Sequence, residues 1–245
     1  MWQRLLISVL FIILLFAGPM GWSYLNYKPP ARHWYAASHA ATGLSPDTTD
    51  AVLQVFVAPT FGWRGAFAVH SWLAIKPAGA SFYDRVEVIG WGVNNGTPAI
   101  RQSRGNPDSL WYGAMPRAVL DLRGPQAARV IDDVRAAIAS YPYPESYRVW
   151  PGPNSNTFTA HIAREVPELG LSLPVTAVGK DFLTNERMFA HSPSGTGWQV
   201  SVQGLAGVTV GLKEGLEINL LGFSAGLAVW PPALKLPGVG HIELD

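Results

Sequence analysis

Residues 5–16 form an apolar run, uncharged and mostly branched aliphatic, and residues 17–22 extend it without charge. That is about the shortest stretch able to cross a bilayer as a helix. It predicts a membrane anchor over residues 1–25, with no clear small-x-small cleavage site before Trp22. Residues 26–50 read as a linker: Pro29-Pro30 stops regular structure, residues 34–40 hold a short helical pattern, and Ser45-Pro46-Asp47 reads as a turn. The period then changes to that of strands. Residues 51–58 are rich in β-branched positions, Trp63-Arg64-Gly65 is a turn, and residues 66–76 and 81–91 are further strands. Alternation puts Phe67, Val69, Ser71 and Leu73 on one face of the second strand, and Ala68, His70 and Trp72 on the other. Residues 112–122 fit neither period.

Residues 126–140 carry a helical repeat with Ala128, Ile131, Val134, Ala137 and Ile138 inward. A shorter helix follows a Pro/Gly loop, with Phe158, Ile162 and Ala163 on one face and Pro167 ending it. From residue 198 short apolar runs at 198–202, 208–210, 216–220 and 227–230 alternate with glycines, which predicts a β-meander joining or covering the first sheet. The fold class is therefore α+β: an N-terminal membrane helix, an antiparallel sheet with helices on one face, and a C-terminal meander, with residues 51–245 as a single domain.

Composition narrows the function. The chain has 245 residues, a formal net charge of +1 and no basic run, which argues against nucleic acid as a partner. It has no Cys, so disulfides, thiolate metal sites and a cysteine nucleophile are excluded together. Trp2, Trp22, Tyr24 and Tyr27 bracket the apolar run as an interfacial belt does. Arg4 lies on one side of that run and Lys28 and Arg32 on the other, so charge bias is nearly balanced. The favoured location is the bacterial inner membrane, single-pass, with the bulk of the chain in the periplasm. Trp63, Trp72 and Trp91 read as core or pocket walls.

The richest chemistry lies at Asn154-Ser155-Asn156, where the loop meets the helix. Ser155 is either a nucleophile held at a helix N-terminus or, with Asn154, a cap. His70 lies mid-strand and is either a satisfied core residue or the base for Ser155. His161 and Glu165 share a helix face four residues apart, but two ligands make no metal site, and the pair reads as a surface contact. No metal and no cofactor are expected. Gly222-Phe223-Ser224-Ala225-Gly226 matches the G-x-S-x-G nucleophile elbow, yet no helical pattern follows it, and the only later His precedes both acids. It reads as a glycine turn between strands.

The segments 61–76 and 151–158, with the glycine-rich segments 194–198 and 215–222, resemble a bacterial family known as domain of unknown function 3750. His70 and the Asn154-Ser155-Asn156-Thr157-Phe158 step also resemble circularly permuted papain-like proteins, the NlpC, PPPDE and lecithin:retinol acyltransferase groups. That resemblance implies a nucleophile at Ser155, where those groups carry Cys. A helix end draws a thiol towards thiolate but does not ionise a serine hydroxyl, so Ser155 needs an aligned base and the base an orienter. Glu87, on the next strand, is the best orienter, with a solvated strand carboxylate as its ordinary reading. Asn154, Asn156 and Trp72 complete the expected binding set, with helix N–H groups near Asn156 holding an oxyanion. Two function classes follow. One is a membrane-anchored serine-dependent hydrolase or acyltransferase acting on an amide or ester. The other is a non-catalytic envelope module binding a peptide or lipid in a degenerate papain-like groove.

Overall fold

The computed structural model describes residues 2–30 and 42–244. The helical pattern at 34–40 and Arg32 lie outside the described residues. The chain forms α1 (Trp2–Asn26), then strands β1 (Val52–Pro59), β2 (Val69–Lys76), β3 (Asp84–Val88), β4 (Ile100–Arg104) and β5 (Arg117–Arg123). Helices α2 (Pro125–Ala139) and α3 (Ser155–Glu165) follow. The last part is strands β6 (Phe189–His191), β7 (Gly197–Val202), β8 (Ala206–Gly211), β9 (Gly215–Leu220), β10 (Phe223–Ala228), β11 (Ala233–Leu236) and β12 (Gly240–Glu243).

Two antiparallel sheets result. The first has five strands in the order β4-β3-β2-β1-β5, and the second is a seven-stranded meander in the order β12 to β6. The meander is thus a sheet of its own and does not join the first. In the first sheet, β2 runs against β1 with His70 opposite Ala58, and against β3 with Trp72 opposite Glu87. The two faces diverge as alternation requires. Leu53, Val55, Leu73, Ile75, Val86 and Val88 pack under α2 and α3. Phe56, Trp72 and Ala74 face the other way, into a smaller core closed by Tyr83 and Ala114. Helices therefore cover one face, as expected.

Several elements differ from the sequence reading for identifiable reasons. The second strand begins at Val69 because residues 62–66 wind into a 3-10 turn. In α2 Ile131, Val134 and Ala137 turn inward as expected, but the first inward alanine is Ala127 and not Ala128. Residues 42–50 are not a free linker. The Leu44 N–H donates to the Asp108 carboxylate at 2.6 Å, and Lys76 Nζ donates to the Thr48 carbonyl at 2.5 Å.

The membrane-spanning helix is the largest difference. Among the described residues no helix is long and apolar enough to cross a membrane. Gly18, Pro19, Gly21, Ser23 and Asn26 dilute the second half of α1, and its last turns are spent on the protein itself. Ser23 Oγ donates to the Ala66 and Gly238 carbonyls at 2.5 and 3.1 Å, and Tyr24 stacks on Phe67 at 5.9 Å.

Burial sets a contrast that tests the architecture. Phe158→Ala should cost about 3–5 kcal/mol in urea unfolding, because Phe158 is fully buried between α3 and the first sheet. Leu216→Ala, on an exposed sheet position, should stay within about 0.5 kcal/mol of wild type. Equal losses at both positions would contradict the placement of the second sheet.

Candidate functional site

The site is built where β2 begins and α3 begins. Asn154, not Ser155, caps α3. Asn154 Oδ1 accepts from the N–H groups of Asn156 and Thr157 at 3.0 and 3.2 Å, and Thr157 Oγ1 accepts from the Asn154 N–H at 3.2 Å. This reciprocal capping box satisfies the orphan donors of the first turn. The same residues bind the loop before β6. Asn154 Nδ2 donates to the Val178 carbonyl at 3.1 Å, and Thr157 Oγ1 donates to the Gly179 carbonyl at 2.8 Å. A Cβ at residue 179 would collide with the Asn154 amide, and Gly179 adopts φ +101, so glycine is required there. Asn156 Nδ2 donates to Val69 O at 2.8 Å and Val178 O at 2.9 Å, which ties the helix start to the start of β2.

Ser155 is thereby relieved of capping. Its carbonyl accepts from Ser71 Oγ at 3.2 Å on the helix-covered face of β2. The expected oxyanion donors near Asn156 are not free, because the cap consumes the N–H groups of Asn156 and Thr157. The N–H of Ser155 itself is the first-turn donor left without a partner among the described residues.

His70 stands on the opposite face of β2 from Ser71, next to Trp72 and diagonal to Glu87. Its Nε2 lies 2.6 Å from Glu87 Oε2. Glu87 is not a solvated strand residue: it is buried, and Arg85 holds it from the side with Nε to Oε1 at 2.7 Å and Nη2 to Oε2 at 3.1 Å. Arg85 Nη1 in turn donates to Ser109 Oγ at 3.0 Å, and its guanidinium lies 4.2 Å from the Trp72 ring centre. Burial alone would raise the Glu87 pKa. The hydrogen bond from His70 and the Arg85 charge overcome this and hold it at about 2. Burial pushes His70 the other way, below 6.5, although Glu87 opposes the shift. The pair is therefore an ionised carboxylate and a neutral imidazole. Nε2–H donates to Glu87, and Nδ1 keeps its lone pair. Trp111 fixes the ring plane by stacking on it at 3.8 Å.

His70 and Ser155 line one cavity of about 290 Å³ with Asn154, Asn156, Trp63 and Phe67. His70 also borders an adjoining cavity of about 450 Å³ walled by Trp91, Trp111 and Tyr112. No hydrogen bond joins His70 to Ser155 among the described residues. Trp63 and Trp91 are pocket walls, as expected, but Trp72 is fully buried, with its indole N–H donating to Pro107 O at 2.7 Å. It backs the histidine and lines neither cavity. Sequence reasoning missed Arg85 and Trp111. The signal for Arg85 was its two-residue spacing from Glu87, which puts both on one strand face.

The remaining motifs fall away. His161 is buried against Ser140 Oγ at 3.3 Å while Glu165 is exposed, so the two are not a surface pair. Among the described residues no group of acids and histidines is placed to hold a metal. Ser224 sits within strand β10 and donates to Asp181 Oδ2 at 2.8 Å, so no nucleophile elbow forms; Gly222 makes the turn between β9 and β10, as expected, and the rest of the motif is strand.

Because Glu87 has a folded pKa of about 2 against an ordinary 4.5, its contribution to stability is complete above pH 4.5 and is lost as pH falls towards 2. Glu87→Gln should cost about 3–5 kcal/mol at pH 7, since it leaves Arg85 buried without its counter-charge. Urea titrations of the variant should lose less stability between pH 4.5 and 2 than wild type. Parallel loss in both proteins would place the acid sensitivity elsewhere.

No curated protein and no solved structure matches the chain. A family model does match, over residues 50–182, which is more than half of the 245 and contains His70, Arg85, Glu87 and the Asn154–Asn156 step. The chain belongs to the family described as Protein of unknown function (DUF3750).

Proposed function

We propose that the protein is a serine-dependent hydrolase or acyltransferase acting on an amide or ester, on a permuted papain-like scaffold. Ser155 attacks the carbonyl, His70 Nδ1 takes its proton and returns it to the amine or alcohol that leaves as the C–N or C–O bond breaks, and water or an acceptor then releases the acyl group; Glu87 orients the imidazole, and the Ser155 N–H stabilises the oxyanion. The observation that carries this reading is the His70–Glu87 bond of 2.6 Å on a neutral, buried imidazole that shares a cavity with Ser155. A base held in that tautomer, with its second nitrogen unprotonated, is what a serine nucleophile requires. The proposed setting is the periplasmic side of a bacterial inner membrane, with α1 as the attachment. The exposed Leu6, Leu10, Ile13 and Leu14 of α1 support that setting.

One observation favours the non-catalytic alternative, a groove that binds a peptide or lipid. Ser155 and His70 are not hydrogen-bonded to each other, so the proton path from hydroxyl to imidazole is not preassembled. A substrate that seats between them must close it.

A fluorophosphonate probe separates the two. Under the catalytic reading the probe labels Ser155, and Ser155→Ala abolishes labelling. His70→Gln slows labelling by about 10²–10⁴-fold, the usual worth of a general base. The rate should stay high through neutral pH and fall only as pH drops through the His70 pKa, below the ordinary 6.5, because the imidazolium cannot accept a proton. Labelling that survives Ser155→Ala would overturn the assignment. No labelling of the wild type would favour the binding groove.

A further inference from the structure

The second sheet reverses the usual polarity of a sheet. Its buried positions are polar: Gln199, Ser201, Thr209, Glu217, Asn219 and Ser224 all point inward. They close over Lys180 and Asp181 in a buried ionic network. Lys180 Nζ lies 2.9 Å from Asp181 and 2.6 Å from Glu217, and Lys235 Nζ lies 2.6 Å from Glu217. The outward positions are apolar. Register aligns Trp198, Val210, Leu216, Leu227, Leu234 and Ile242 in one row across six strands. A second row runs through Val200, Val208 and Ile218. No Asp, Glu, Lys or Arg occupies an outward position on β6–β12, and the one polar residue there, His191, is stacked on Trp198 at 4.0 Å. Contiguous apolar faces of this kind mark interaction sites on soluble proteins.

We propose that this outer face docks on the surface of a lipid bilayer. Polar-in, apolar-out alternation along each strand is the pattern of sheets that meet hydrocarbon. Strands of three to six residues are too short to cross it, since a spanning strand needs about 9–11. The sheet therefore lies on the bilayer. The uncharged face matches hydrocarbon, which accepts apolar groups and penalises every charge. The apolar surface also wraps round one end of the sheet. Leu212 in the β8–β9 turn is 79% exposed, and Trp230 in the β10–β11 turn is 85% exposed. A second copy of the chain would cover the flat face but leave these tips in water, whereas lipid accommodates both. The face is also continuous with α1, which packs against β10 and β11 and exposes Ile13, Leu14 and Leu25. This surface meets the Ser155 cavity at Phe223 of β10 but does not depend on Ser155 chemistry, and it stands or falls without the catalytic reading.

The absence of Cys gives a direct test on the full chain. Val210→Cys and Leu216→Cys each create a single site for an environment-sensitive fluorophore. With phosphatidylcholine vesicles both labels should shift to the blue and be quenched by lipids brominated in the acyl chain. A label at Arg129→Cys on the exposed side of α2 should do neither. A label at Leu216→Cys in a Val210→Lys, Ile218→Lys background should lose the blue shift and the acyl-chain quenching, even where α1 keeps the chain on the vesicle. Silence at both sheet positions, with a response from a label at Ile13→Cys on α1, would overturn the proposal in favour of the helix alone. Shielding of both sheet labels in vesicle-free buffer, with a doubled mass in solution, would overturn it in favour of a second copy.

Discussion

A carboxylate buried inside a sheet is tolerable only when its charge is answered, and Glu87 is answered twice. Arg85 supplies a forked pair of donors from the same strand, and His70 supplies a donor from the next. Desolvating an isolated carboxylate costs far more than any one hydrogen bond returns. The three side chains are therefore interdependent. Trp72 and Trp111 complete the enclosure, and they turn a polar cluster into a rigid one by stacking on its cationic and imidazole planes. The consequence for chemistry is a histidine with a single tautomer and a single orientation, at the mouth of a cavity that also holds a helix start.

That helix start is fixed from the opposite direction. Asn154 and Thr157 bind the carbonyls of Val178 and Gly179, and the next two residues, Lys180 and Asp181, enter the ionic network beneath the second sheet. Arg164 from the other end of α3 reaches the same network through Gln199 at 2.5 Å. Its burial lowers its pKa to about 10, which leaves it charged at neutral pH. The C-terminal sheet, outside the family match, thus positions the loop that positions Ser155. Its polar residues are spent inward on this task, and its apolar residues are what remain for the outside.

The sequence was most legible where chemistry and periodicity agreed. Residues 51–58 fold as the strand their β-branched run predicts, because a fully buried strand needs apolar residues on both faces. The step from Asn154 to Phe158 was legible because capping chemistry is local. The period of α2 picked out Ile131, Val134 and Ala137, but it did not choose between Ala127 and Ala128, since alanine serves either face. Glu87 read as solvated because its partners are invisible in one dimension: the diagonal neighbour His70 is seventeen residues away. The second sheet was the hardest case. Alternation at 216–220 announces two unlike faces, but it does not say which one is inside. The deciding residues, Lys180 and Asp181, sit in an irregular loop with no periodic signature. The docking of Ser23 and Tyr24 at the end of α1 was illegible for a related reason, because it depends on partners in distant turns.

The central claim is that His70 is a neutral imidazole with its proton on Nε2, held by an ionised Glu87. Nitrogen-15 NMR of the imidazole ring, followed against pH, tests it most directly. The account predicts that at pH 7 Nε2 has the shift of a protonated nitrogen and Nδ1 that of a bare one, a pattern that persists to below the ordinary 6.5. An imidazolium at pH 7, or the proton on Nδ1, would contradict it.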